Sequence, residues 1–169
     1  MESSASPATN VIIRIVLFVA SLVALIVMVT AKQSVLVGPS TAARITAKFT
    51  LTPANKYFVA AMAYACLYSL LSVLACLKNP KSIKVLLYLI LLDAVALGVL
   101  ASATGTVGGV GYIGWKGNDA AGWNKICGVY NKYCDHIAAA VAFSFFGSIL
   151  LVLLTFISAR TIYLCTSKS

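Results

Sequence analysis

Four stretches of the chain, residues 11–31, 57–77, 85–107 and 137–159, are almost free of charge and long enough, at about 20 residues or more, to cross a hydrocarbon core as helices. The second and fourth contain no Asp, Glu, Lys or Arg, the first contains only Arg14, and the third only Asp93. Of the whole chain, 61% is hydrophobic and 10% charged, which is too apolar for an ordinary soluble domain. The pattern predicts an all-α membrane protein, a bundle of four transmembrane helices.

The first stretch is longer than the apolar core of a cleaved secretory signal and carries an internal Arg, so it reads as a retained helix. An even number of spans places both ends of the chain on one side. Outside the spans lie the tails 1–10 and 160–169, the link KNPKSIK, and two longer loops, none of them large enough for a separate core. Residues 11–159 therefore form one membrane domain.

The formal charge is +9, but the thirteen Lys and Arg residues are scattered with no basic run, which argues against nucleic acid as a partner. With the ends of the chain cytoplasmic, the inner side holds Lys78, Lys81, Lys84, Arg160 and Lys168, and the outer loops hold Lys32, Arg44, Lys48, Lys56, Lys116, Lys125 and Lys132. The raw count opposes that orientation. The three lysines crowded into the short link favour it, because charges next to helix ends weigh most.

The cysteines bear on the same question. Cys66, Cys76 and Cys165 read as small apolar residues. Cys127 and Cys134 stand either side of GVYNKY in the last long loop. In a straight helix their Cα atoms would be about 10.5 Å apart, beyond disulfide reach, but Gly128 and Asn131 are turn formers that could fold the segment back. A disulfide there would need an oxidising compartment and would put this loop, the second outer one, outside the cell; two unpaired thiols are the alternative.

The spacing excludes other chemistry. There is no C-x-x-C pair, no zinc set and no N-x-[ST] sequon, and His136 stands alone at a membrane boundary. GTVGGVGYIG, residues 105–114, lacks the Lys-Ser/Thr of a phosphate loop and reads as a flexible exit from the third span, with Trp115 and Trp123 as interfacial or loop aromatics. No cofactor or metal is expected. One His and four acidic residues cannot assemble a nucleophile with its base, so an enzyme is disfavoured.

Arg14 and Asp93 are the two charges placed in lipid. An isolated charge at the bilayer centre costs about 2.5–3.5 kcal/mol on insertion scales, so each has reason to seek the other. Three readings stand at this level: a pair that docks the first helix on the third, a proton or ion site at Asp93, or a snorkelling Arg14 with a separate protonated Asp93. If both helices start at the same face, the Cα depths on these spans differ by roughly 9 Å.

Small residues recur at four-residue spacing: Ala94, Gly98 and Ser102, with Ala101, Gly105 and Gly109 on a neighbouring stripe, in the third span; Ala61, Ala65 and Ser69 in the second; and Ala140, Ser144 and Ser148 in the fourth. Such stripes let helix backbones approach closely, within the bundle or between copies of it.

Arg14 in the first span, LLDAVAL in the third, and the pattern W-x-x-I-C-x-x-Y-x-x-Y-C from Trp123 to Cys134 leading into FFGSILLVLLTFISA together resemble the plant Casparian strip membrane domain-like proteins. That family is related in architecture to four-span proteins of the MARVEL type. The resemblance runs from about residue 13 to 159 and is strongest after residue 86. It implies a multi-pass plasma-membrane protein with both termini cytoplasmic. Members that build the strip carry a first-loop motif resembling E-[ST]-L-P-F-F-T-Q-F, and here that loop reads KQSVLVGPSTAARITAKFTLTPANKY, as in the broader "-like" branch.

What the resemblance implies of function is a non-enzymatic scaffold that associates with itself or its relatives, forms a patch in the lipid membrane and recruits enzymes that modify the cell wall. A small channel or transporter using Asp93 is the alternative.

Overall fold

The computed structural model describes residues 7–37, 43–78 and 82–167. Four helices dominate: α1 (Pro7–Thr30), α2 (Pro53–Lys78), α3 (Ile83–Lys116) and α4 (Asn131–Ser167). All four contain windows long and apolar enough to cross a membrane. Proline opens α1 and α2, where its missing N–H is one that no helix could satisfy.

α3 and α4, at 34 and 37 residues, are about 50 Å long or more, well beyond the thickness of a hydrocarbon core. The sequence expectation of a flexible exit at residues 105–114 is corrected here, because all ten lie inside α3. Two features explain why the glycines stay helical. A backbone in lipid has no water to bond and must satisfy itself. A Cβ on Gly108 or Gly111 would lie 3.9 or 3.6 Å from Val141 or Ile137 of α4, so their lack of side chain lets the two helices close up.

The helix ends at Gly117, whose φ of 75° favours glycine and whose N–H bonds to the Ile113 carbonyl. A Cβ there would stand 2.9 Å from the Trp123 carbonyl oxygen, so the turn has no room for one. Because α3 runs on and α4 starts early, the second loop shrinks to residues 117–130.

The first long loop is not irregular. It folds into an antiparallel hairpin of β1 (Lys32–Val37) and β2 (Ala43–Lys48), with Lys32 opposite Lys48 and Ser34 opposite Thr46. Tyr133 at the start of α4 holds it down: its backbone N–H donates to Gln33 Oε1 (3.0 Å), and its hydroxyl donates to the Lys48 carbonyl (3.4 Å) while accepting from buried Asn55 of α2 (2.9 Å).

In section the helices form a ring in the order α1, α2, α3, α4, each packed on its two neighbours, with α1 and α3 diagonally opposed. The core is filled by Leu17 and Met28 of α1, Phe58 and Met62 of α2, Leu100 and Val107 of α3, and Leu151 and Leu154 of α4. Gly147 of α4 lies at a crowded point, where a Cβ would meet Leu17 at 3.4 Å and Leu100 at 3.6 Å. Large apolar side chains such as Leu71, Leu91, Phe145 and Phe156 cover the outside, an arrangement that suits lipid and not water.

Candidate functional site

The polar centre of the bundle begins with Arg14, on the second turn of α1. A guanidinium presents a planar fork that matches a carboxylate, and Asp93 of α3 meets it with both oxygens. Nη1 donates to Oδ1 at 3.0 Å and Nη2 to Oδ2 at 2.8 Å, and both side chains are completely buried. The pair spans a diagonal of the ring and ties together two helices that are not neighbours in it.

The remaining donors and acceptors of the pair are also engaged. Arg14 Nε donates to Asn10 Oδ1 at 2.8 Å, one turn back on α1. The Tyr68 hydroxyl of α2 donates to Asp93 Oδ1 and lies 3.4 Å from Arg14 Nη1. Asn10 in turn donates to Ser158 of α4 at 3.3 Å and faces the Cys76 thiol of α2 at 3.9 Å. The network therefore takes groups from all four helices, and among the described residues no buried side-chain polar atom lacks a partner. That completeness matters, because a half-satisfied charge in low dielectric is strongly destabilising.

The gap in depth narrows once the helix starts are known. With α1 opening at Pro7 and α3 at Ile83, the two Cα atoms sit about 10 and 15 Å along their helices, and the Arg side chain covers the difference. Tyr68, Asn10 and Ser158 were not singled out from sequence. Asn10, four residues before Arg14, carried a readable signal in the helical spacing that sets residues on one face. Tyr68 and Ser158 carried none, since either could as well have faced a headgroup.

At the opposite end Cys127 and Cys134 form a disulfide, their Cα atoms 5.7 Å apart. The segment 127–129 is a turn and α4 starts only at Asn131, so the straight-helix separation never applies. The loop is held to α3 by the N–H groups of Ile126 and Cys127, both donating to the Gly114 carbonyl. Within it Asn118 and Trp123 form an isolated β-bridge, and the Asn118 side chain accepts from the N–H of Ala121. Both tryptophans are exposed, Trp115 lying edge-on to Tyr112 with the Lys116 ammonium 4.9 Å from its ring centre. His136 is exposed and its Nδ1 sits 2.7 Å from the Lys132 carbonyl.

The small-residue stripes divide by helix. Ala61, Ala65 and Ser69 of α2, and Ala140, Ser144 and Ser148 of α4, are buried inside the bundle. Ala94, Gly98, Ser102, Gly105 and Gly109 of α3 are exposed on its outer side. A Cβ built on Gly98, Gly105 or Gly109 meets no atom within 4 Å. The three glycines therefore do not serve packing within the bundle, whereas Ser102 bonds to the Tyr57 hydroxyl of α2 at 2.7 Å.

Four apolar helices clamped by a buried Arg–Asp pair, with a hairpin and a disulfide loop at one end, define a four-span membrane protein. A profile of the Casparian strip membrane protein domain matches residues 3–150. CASP-like protein 1D2 of Glycine max is 49% identical over 91% of this chain and 82% of its own length. CASP-like protein 1D1 of the same species is 50% identical over the same shares, and that of Arabidopsis thaliana is 47% identical over 92% of this chain and 83% of its own. The chain belongs to the Casparian strip membrane protein domain family and resembles its CASP-like members. No solved structure matches it.

Proposed function

We propose that the protein is a non-enzymatic plasma-membrane scaffold that associates laterally with itself or its relatives and presents the hairpin and disulfide loop outside the cell to wall-modifying proteins. One observation carries the reading: the exposed small-residue face of α3, where a Cβ on Gly98, Gly105 or Gly109 would meet no other atom within 4 Å. Without a hydrophobic force between helices in lipid, association relies on close backbone approach, and small residues make that approach available.

The interior offers no competing use. Both Asp93 oxygens are engaged by Arg14 and Tyr68, so an ion or proton site there would first have to break the clamp. The end bearing the two loops holds seven Lys or Arg residues in segments 32–56 and 116–136, against Asp119 and Asp135 alone, which favours acidic partners. Plasma-membrane residence and cytoplasmic termini complete the proposal, consistent with a disulfide that needs an oxidising side.

Single-molecule counting of the fluorescently tagged protein in a plant plasma membrane tests it. Stable assemblies with slow lateral diffusion are expected. Freely diffusing monomers at native expression would refute patch formation, and Asp93-dependent ion flux into liposomes would refute a purely scaffolding role.

A further inference from the structure

The end of the bundle that bears the hairpin and the disulfide loop is stepped. Tyr57, near the start of α2, bonds to Ser102, and the rest of α3 beyond Ser102 carries it about 15 Å past the point where α2 begins. Ile137 and Val141 of α4 face Gly111 and Gly108, which brings the start of α4 up level with the end of α3. α3 is about 50 Å long, whereas a bilayer with its headgroups is about 40–45 Å thick. With Lys84, in the first turn of α3, anchored at one membrane surface, the disulfide loop stands clear of the headgroups at the other.

Charge at this end is unbalanced. Lys32, Lys48, Lys56, Lys116, Lys125 and Lys132 are all exposed, against Asp119 and Asp135. Among the described residues no ion pair other than Arg14–Asp93 forms, so none of the six ammonium groups is neutralised by its own chain. Their placement is unfavourable in the isolated protein. Lys32 stands directly opposite Lys48 across the hairpin, where like charges repel. Lys56 and Lys132 lie in the first turns of α2 and α4, at the positive ends of two helix dipoles, with no acidic residue in either turn. A second copy does not relieve this: of the four acidic residues in the chain, Asp93 is held in the clamp, Glu2 precedes α1 at the far end, and Asp119 and Asp135 arrive with six more lysines.

An aromatic ring is fixed among these cations. Asn118 and Trp123 exchange two backbone hydrogen bonds of 2.9 Å, which hold Trp123 while its ring stays exposed, two residues from Lys125. A tryptophan held in water beyond the headgroups is an apolar face without cover. Resting on the outward orientation and scaffold role proposed above, we propose that this end binds a linear polymer of sugar acids. Each ring of such a polymer has an apolar C–H face, which packs on Trp123, and a carboxylate, which pairs with Lys125 and, ring by ring, with the lysines of α4 and the hairpin. Lipid headgroups lie below the loop. An acidic polypeptide carries its charges on flexible stems and brings no apolar ring face with each one. One polymer also outreaches a single bundle, so it joins copies whose outer ends otherwise repel.

The test measures binding of polygalacturonate to the full-length protein in phosphatidylcholine nanodiscs by biolayer interferometry. Binding is expected to weaken about tenfold between about 50 and 200 mM salt, as for a polyanion held by several ammonium groups. The fully methyl-esterified polymer, which keeps the rings and loses the charge, does not bind. Lys48→Gln, Lys125→Gln and Lys132→Gln together lower affinity about a hundredfold and flatten the salt dependence, and Trp123→Ala lowers it about tenfold with the salt slope kept. All four side chains are exposed, and an intact Cys127–Cys134 disulfide with an unchanged melting temperature separates lost binding from lost fold. Polyglutamate of equal length bound as tightly, binding of the ester, displacement by anionic phospholipid vesicles, or affinity indifferent to the four substitutions overturns the proposal. A nanodisc exposes both ends of the bundle, so the result does not depend on orientation or assembly. Absent binding alongside stable assemblies in the plant membrane refutes this contact alone, whereas binding alongside freely diffusing monomers refutes the scaffold alone.

Discussion

At the scale of single residues the structure turns on Arg14. Removing one member of a buried pair leaves an uncompensated charge, so Arg14→Gln and Asp93→Asn are each expected to destabilise the fold by about 3–5 kcal/mol. The swap Arg14→Asp with Asp93→Arg recovers part of that loss; melting curves in detergent for the two single variants and the double variant measure it, and a double variant no better than the worse single one would contradict direct pairing. Tyr68→Phe keeps the ring and deletes one hydrogen bond to a charged carboxylate, which lowers stability by about 1.5–3 kcal/mol in the same assay. The pair itself was legible in sequence, because charges in apolar spans are conspicuous and have few places to go. Its supporting cast was not: Tyr68 and Ser158 are ordinary residues of amphipathic or small type until the packing of α2 and α4 turns them inward.

At the scale of elements, close packing is decided at a few points. Gly147 stands where α4 crosses α1 and α3, and the distances there accommodate a methyl group and nothing larger. Gly147→Ala is expected to leave the melting temperature nearly unchanged, whereas Gly147→Leu overpacks the site and costs about 1–3 kcal/mol. The hairpin depends on Tyr133 for its seat. Tyr133→Phe removes the bonds to Lys48 and Asn55 while leaving the backbone bond to Gln33, and faster amide hydrogen exchange confined to residues 32–48 is the expected reading. Lengths of α3 and α4 escaped sequence reasoning because glycine in residues 105–114 signals a break in water, while in lipid and against a neighbouring helix it signals contact. The hairpin escaped it because KQSVLV and ARITAK are short and flanked by no tight two-residue turn motif.

For the whole molecule, the scaffold proposal makes the outward face of α3 the surface on which copies meet. Gly98→Ile with Gly105→Ile has open space around each new side chain, so the monomer fold and its disulfide survive while assembly size in single-molecule counting falls toward monomers. An unchanged assembly would move the contact to another face. Four spans and the two charges within them follow from the sequence alone, because hydrophobic length and the expense of a charge in lipid are local properties that any reader of the chain can sum. Which small-residue stripe faces inward and that Arg14 reaches across the diagonal to Asp93 were decided only by tertiary structure. The physical reason is rotational: a helix that is apolar on every side carries almost no amphipathic signal, so its orientation about its own axis is set by how its neighbours pack and not by its own residues.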